Sequence, residues 1–390
     1  MRQRGRQRRE ADGEGQQGAA PEVGPQHPGF PGGPTDTSLL IRYQNHVVYH
    51  LWLGEYTSLA RVDTHLLSTF VERWHPETSS FHKSFGKMTI TLDDVSCLLH
   101  VPIRGELVDP DFVVTDYDAI HNVVELFGVS LSEASEEASS QQRAANNFTG
   151  AMRAYMMLLL GCTIIADKTF TLVEAKYLPL LRDLNTCGIY YWGAAALVTL
   201  YRYLGDASFY SCKQLGGYAS LLQCWIHEYF PTVGKRGTSG LCGIDSPMAR
   251  VMKWEYRQGT QKVADIRAVL DQLTPYDIVW RPFEDHRAHR PFDDICLFRG
   301  GLKWYGTVVL YLPDRCMRQF GYRQYIPIAP PNVDTLDVDV EWATYMQSVL
   351  QCHQARPEDE QFLEIFRALR LAQGGPLPRE GPITYDNESD

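Results

Sequence analysis

Apolar and polar positions alternate most legibly between Glu72 and Gly105, in ERWHPETSSFHKSFGKMTITLDDVSCLLHVPIRG. Phe81–Phe85 and Met88–Thr91 are short segments with aromatic and β-branched content, and Gly86-Lys87 between them predicts a hairpin turn. Thr91 is placed to cap a helix whose first turn carries Asp93 and Asp94, where the helix dipole favours acids. Leu92, Val95, Leu98 and Leu99 recur at helical spacing, giving that helix an apolar face. Val101-Pro102 ends it.

The rest of the chain reads mostly as helices. Order is expected to begin near Ser38, with Val47, Val48, Leu51 and Trp52 following. Arg61–Trp74 predicts a helix with Leu66, Leu67, Phe70 and Trp74 on one side, and Tyr117–Phe127 a shorter one. The polar stretch Ser130–Asn147 reads as a loop. Helices over about 148–165, 170–184, 189–204 and 216–229 form the expected core. In the third of these, Ala194, Ala195 and Ala196 allow another helix to approach closely. Further helices are predicted at Met248–Tyr256, Val263–Leu273, Asp314–Phe320 with Gly321 as its cap, 338–353 and 357–371. Cys296–Arg299 and Thr307–Leu312 read as strands. The predicted fold class is mainly α. It is a single large helical domain over 37–372, with an N-terminal hairpin, minor strands near 296–312 and a seam for sub-division at 231–247.

Composition sharpens this picture at the ends. Residues 1–36 are rich in Arg, Gly, Pro and Gln and predict a disordered tail, as does the acidic stretch 373–390. Arg2, Arg4, Arg6, Arg8 and Arg9 open the chain without an acid among them, which fits a nuclear import signal or non-specific nucleic-acid contact. No apolar run follows them, so they do not read as a secretory signal. The net charge of −10 leaves the body mildly acidic, a poor basis for broad phosphate binding. Nine cysteines without a CxxC pair suit a reducing compartment. The uncharged runs Ala154–Ala166 and Gly188–Tyr201 are shorter than the ~20 residues of a membrane span and read as buried helices, so no membrane is expected as a partner.

Candidate chemistry is sparse. Cys97 and His100 lie three apart on one helix face and could ligate zinc, but no second pair stands near them in sequence. A core cysteine and a partly exposed histidine are the expectation. His286 and His289, in FEDHRAHRPFDD, form the densest histidine–carboxylate cluster and are expected in a solvated loop. Asp93 and Asp94 point in different directions as neighbours, so they are read as helix-start acids and not as a metal pair. No P-loop, GxGxxG or GxSxG occurs. Arg315 and Arg318, with Arg323 beyond them, could present a fork to phosphate or a partner carboxylate, but an internal salt bridge to an acid of the body is the expectation.

Five stretches stand out in order: Glu72–Gly105, Ala166–Leu184, Tyr190–Leu204, LLQCWIHEYFP (Leu221–Pro231) and DRCMRQFGYRQYIP (Asp314–Pro327). In these, the first and last most of all, the chain resembles the plant mobile domain family, in the group related to MAINTENANCE OF MERISTEMS. His100 stands where the family usually has Gly, and Ile103-Arg104 replaces a more usual small or acidic residue before Gly105. The resemblance implies a mostly helical, transposon-derived nuclear protein associated with meristem maintenance and with gene and transposon silencing. Some relatives carry, or partner with, a serine/threonine phosphatase domain, so a phosphatase-like nuclear partner is implied. The metallophosphatase patterns GDxHG, GDxxDRG and GNHE are missing from the sequence. For the aminotransferase label that also attaches to the family, Lys168 in ADKTF is the lysine considered for a Schiff base, and a helix-end position is the expectation. The reading is a non-enzymatic nuclear interaction module without cofactor or metal. The alternatives are a DNA-binding protein using a basic patch near Arg315 and Arg318, a degenerate enzyme, and cytoplasmic residence.

Overall fold

The computed structural model describes residues 62–108, 116–127, 148–168, 173–209, 215–240, 242, 246–257 and 259–354. Both predicted tails, the segment near Ser38, the loop over 130–147 and the helix over 357–371 lie outside them. Asp63 caps helix α1 (Thr64–Val71), its Oδ1 accepting from the His65 and Leu66 amides. This helix is shorter than expected because Trp74 turns away into strand β1 (Trp74–His75).

Strands β2 (Ser80–Lys83) and β3 (Gly86–Met88) form the predicted hairpin, but Ser84-Phe85 makes its turn instead of Gly86-Lys87. The core decides the register. Phe81 pairs with Met88, and both are fully buried, whereas a turn at Gly86-Lys87 would have set the half-buried Phe85 there. Strand β1 adds a third, unanticipated partner, with Trp74 opposite Phe81.

Helix α2 (Leu92–Leu99) begins at the predicted cap, Thr91. All eight of its residues are buried, not the one apolar face that the spacing suggested. It ends at His100, whose φ of 57° is left-handed, a conformation that glycine adopts with the least strain. Gly105 has a φ of 150°, and a Cβ there would stand 2.3 Å from the Ile189 carbonyl oxygen. Its bare backbone lets Glu106 pair with Tyr190: the Glu106 amide donates to Ile189 O at 2.8 Å, and the Tyr191 amide donates to Glu106 O at 3.1 Å.

Helices α3 (Asp116–Phe127) and α4 (Phe148–Cys162) follow. In place of an α-helix over 170–184, Ala175–Leu181 is a 3₁₀ helix, because Pro179 within it has no amide for an α ladder. Helix α5 (Trp192–Ser208) runs through the centre against α2, with Ala194, Ala195 and Ala196 fully buried as the small-residue pattern predicted. Helix α6 (Ala219–Tyr229) is buried along its whole length. Phe70, Trp74, Phe81, Trp225 and Phe230 close an aromatic cluster between α1, the hairpin and α6, with ring centroids 4.9–6.2 Å apart.

The strand pair β4 (Gly237–Thr238) and β5 (Trp254–Glu255) ties the 231–247 stretch to the residues after it. Met248–Tyr256 is therefore a 3₁₀ turn at Arg250–Lys253 followed by β5, not the expected helix. Helix α7 (Val263–Gln272) packs on α1. Cys296–Arg299 is not a strand: Asp293 accepts from the Ile295 amide and caps a 3₁₀ turn, Asp294–Leu297. The strands are β6 (Gly300–Trp304) and β7 (Thr307–Tyr311), antiparallel to each other. Asp314–Phe320 divides into two 3₁₀ turns, Pro313–Arg315 and Met317–Phe320, the second capped by left-handed Gly321 as predicted. Helix α8 (Val338–Gln354) follows. The architecture is mainly α with three small antiparallel strand groups among the described residues. No described helix is long and apolar enough to cross a membrane.

Gly105→Ala is expected to cost about 2–3 kcal/mol, read from the unfolding midpoint, because strain and a backbone clash coincide. Gly86→Ala is the control: its φ is 132°, but its Cβ would meet nothing within 4 Å, so it should cost less.

Candidate functional site

Helix α2 brings two adjacent carboxylates into the interior, and each meets a different solution. Asp94 accepts from the Thr91 amide at 2.6 Å and the Thr91 hydroxyl at 2.7 Å, while its own amide donates to Thr91 Oγ1, completing a capping box. Its other oxygen accepts from Tyr229 Oη of α6 at 2.8 Å. Burial pushes the Asp94 carboxyl up to about 7 against the pull of these donors. Asp93 takes a two-pronged ion pair from Arg287, with Nη1 and Nη2 donating at 2.6 and 2.7 Å.

The loop carrying Arg287 is held to α2 along its length. His100 Nε2 and His286 Nε2 are 2.8 Å apart in a hydrogen bond, and Arg290 donates to the His100 carbonyl at 2.9 Å. Arg104 grips Asp293 with two bonds of 2.6 Å. Next to His286, Asp285 accepts from Arg250, which also donates to Glu228 of α6; Trp254 Nε1 donates to the same carboxylate. The result is a continuous band of polar groups linking α2, α6, β5 and residues 284–294.

The sequence candidates fall into this band unevenly. Cys97 is buried, as expected, and burial raises its thiol well above the ordinary value, so it does not supply a thiolate. Its Sγ lies 3.5 Å from Arg287 Nη1. His100 is half-buried, as expected, and faces His286. The solvated-loop expectation fails for His286, which is 1% exposed and whose pKa burial lowers to about 4, and holds for His289, which is exposed. Among the described residues, no group of three or more His, Cys, Asp or Glu side chains is arranged to hold a metal ion. Asp93 and Asp94 do start the helix, but each has a long-range partner that their spacing does not reveal.

The arginines of DRCMRQFGYRQYIP diverge. Arg315 is buried and donates through Nη2 to the Ile328 carbonyl at 2.9 Å. Arg318 reaches Phe85 O at 3.3 Å and lies over the Trp280 ring at 5.5 Å, and Arg323 is exposed. Asp314 pairs with Arg299 at 3.3 Å. Gln319 of the same motif bonds both the amide and the carbonyl of Thr89, at 2.9 and 2.8 Å, and so joins the two family motifs directly. Lys168 lies beyond the end of α4, not at the expected helix end, and sits half-buried 3.6 Å from Asp206. The sequestered amine is instead Lys83, whose Nζ rests 3.8 Å from the Phe70 ring centroid with its pKa driven well down by burial. Sequence reasoning passed over Lys83, Arg287 and Gln319. The FEDHRAHRPFDD cluster was the available signal for Arg287.

Known proteins match this chain over most of its length. The plant mobile domain family profile matches residues 49–367. From Arabidopsis thaliana, Protein MAIN-LIKE 1 is 31% identical over 353 residues, covering 76% of this chain and 68% of its own length. Protein MAINTENANCE OF MERISTEMS is 31% identical over 339 residues, covering 78% and 70%. A serine/threonine-protein phosphatase 7 long form homologue is 29% identical over 306 residues, covering 71% of this chain but 23% of its own length. No solved structure matches.

The Asp94 carboxyl gives a pH signature. Its folded value of about 7 exceeds the ordinary 3.8, so it binds a proton more tightly when folded. Its contribution is fully present below about 3.8 and lost as pH rises towards 7. The unfolding midpoint of Asp94→Asn relative to wild type should therefore climb between pH 4 and pH 7. A constant difference across that window would show that the carboxyl is not raised.

Proposed function

The chain belongs to the plant mobile domain family, and from that premise we propose that it is a non-enzymatic protein-interaction module of the nucleus, serving meristem maintenance and the silencing of genes and transposons. One observation carries the reading: polar side chains of the family motifs are engaged with other parts of the chain. Asp93 holds Arg287, Arg315 and Arg318 hold backbone carbonyls, and Gln319 holds Thr89. Groups arranged in this way stabilise a shape, and a shape is what a partner protein reads.

A DNA-binding role would draw on arginines free to meet phosphates, and Arg315 and Arg318 are turned inward. A phosphatase-like nuclear protein is the partner class favoured here, since a similar region occurs within a relative named as a phosphatase homologue.

Affinity purification of the full chain from nuclei should recover protein partners that survive nuclease treatment. Recovery of chromatin alone, lost on nuclease treatment, together with steeply salt-dependent DNA affinity, would favour the DNA-binding reading instead. Replacing Arg2, Arg4, Arg6, Arg8 and Arg9 by Ala should move the protein from nucleus to cytoplasm. Undiminished nuclear fluorescence of that variant would remove the import role of the tail.

A further inference from the structure

We propose that Tyr325–Pro331 is a linear ligand, held open for capture in an aromatic-lined groove of a partner protein that reads proline-containing extended peptides. This inference rests on the interaction-module reading above and names the surface it uses.

Residues 322–332 form neither helix nor strand; Tyr325, Ile326, Ile328, Ala329 and Pro330 are exposed, and Tyr322, Pro327 and Pro331 are half-buried. Ile326 is 96% exposed, Tyr325 57% and Ile328 47%. Single exposed apolar residues are ordinary, but three within four positions form a patch. Pro327 and Pro330 stand at PxxP spacing, with Ile326 and Ala329 each just before a proline.

The segment is fixed from beneath. Arg315 Nη2 donates to the Ile328 carbonyl at 2.9 Å and Arg299 Nη2 to the Ala329 carbonyl at 2.8 Å. The Gln324 amide donates to the carbonyls of Asp314 and Tyr325 and accepts from the Met317 amide. Arg315 and Gln324 of the second family motif, with Arg299, thus brace the end of that motif and the residues that follow it. Anchoring of this kind lowers the entropy lost when a partner closes on the peptide.

Two features select the groove over strand addition. Pro327, Pro330 and Pro331 have no amide hydrogen to offer a sheet edge, so side chains must carry recognition. Arg323, exposed at the N-terminal end, calls for an acidic rim on the partner.

The test is calorimetric titration of the full chain against purified SH3, WW and EVH1 domains. At least one should bind with micromolar affinity. Ile326→Asp, and separately the double change Pro327→Ala with Pro330→Ala, should each weaken it at least ~10-fold. Ile326→Asp should leave the unfolding midpoint unchanged, since the side chain is exposed. The inference is overturned if no domain of the panel binds at ~1 mM, a bound of about −4 kcal/mol. Equal binding by Ile326→Asp overturns it too, as does a wild-type dimer in solution that this variant abolishes, which would give the segment to a second copy. Purification from nuclei with Ile326→Asp separates the two proposals. Partners retained by the variant remove the ligand role and leave the module reading standing, whereas no partners with wild type remove the module reading itself.

Discussion

A helix enclosed on every side that carries two neighbouring carboxylates sets the terms for much of this structure. An uncompensated charge in such a place costs several kcal/mol, so each carboxylate must be met. Asp94 is met locally and from α6, by Thr91 and Tyr229. Asp93 has only a weak local donor, the Cys97 thiol at 3.9 Å, and takes its cation from Arg287, far along the chain. That demand fixes the loop over residues 284–294 against α2. Once the loop is fixed, Arg104 finds Asp293, His100 finds His286, and Arg250 can bridge Asp285 to Glu228. Packing of α2 against α5, with its three fully buried alanines, supplies the apolar counterpart.

The two stretches that mark the family in sequence are neighbours in space. Gln319 pairs with the backbone of Thr89 like a strand partner, and Arg318 reaches the hairpin turn at Phe85. This accounts for motifs without recognisable chemistry: their polar residues complete one another's hydrogen bonds in places where water cannot. His100 illustrates the tolerance of the arrangement. It occupies a left-handed position suited to glycine, and its imidazole gains a hydrogen bond to His286 there.

What the sequence revealed was local. Thr91, Asp93 and Asp94 announced the start of α2 because a cap and a dipole act within one turn. Gly321 announced a left-handed stop, and the alanines of α5 a close approach. Where the reading failed, a distant contact or a proline outweighed a local preference. Gly86-Lys87 looked like the turn, but the pairing of Phe81 with Met88 set it two residues earlier. Helical spacing ran through Pro179, which confines Ala175–Leu181 to a 3₁₀ helix. The site was less legible than the fold, because its pairs join residues nearly two hundred positions apart. Composition could nominate His286 as interesting, yet it could not bury it or name Arg287 as the anchor.

The separation of Asp93 from its cation also bears on how the protein comes into being. They are 194 residues apart, and at ~5–20 residues per second of synthesis roughly 10–40 s pass between their emergence. Throughout that interval, enclosing α2 would leave the Asp93 carboxylate without the cation that meets it in the folded chain. Assembly is thereby ordered from the far end. The arrival of Arg287 licenses closure of a centre whose parts were made long before it.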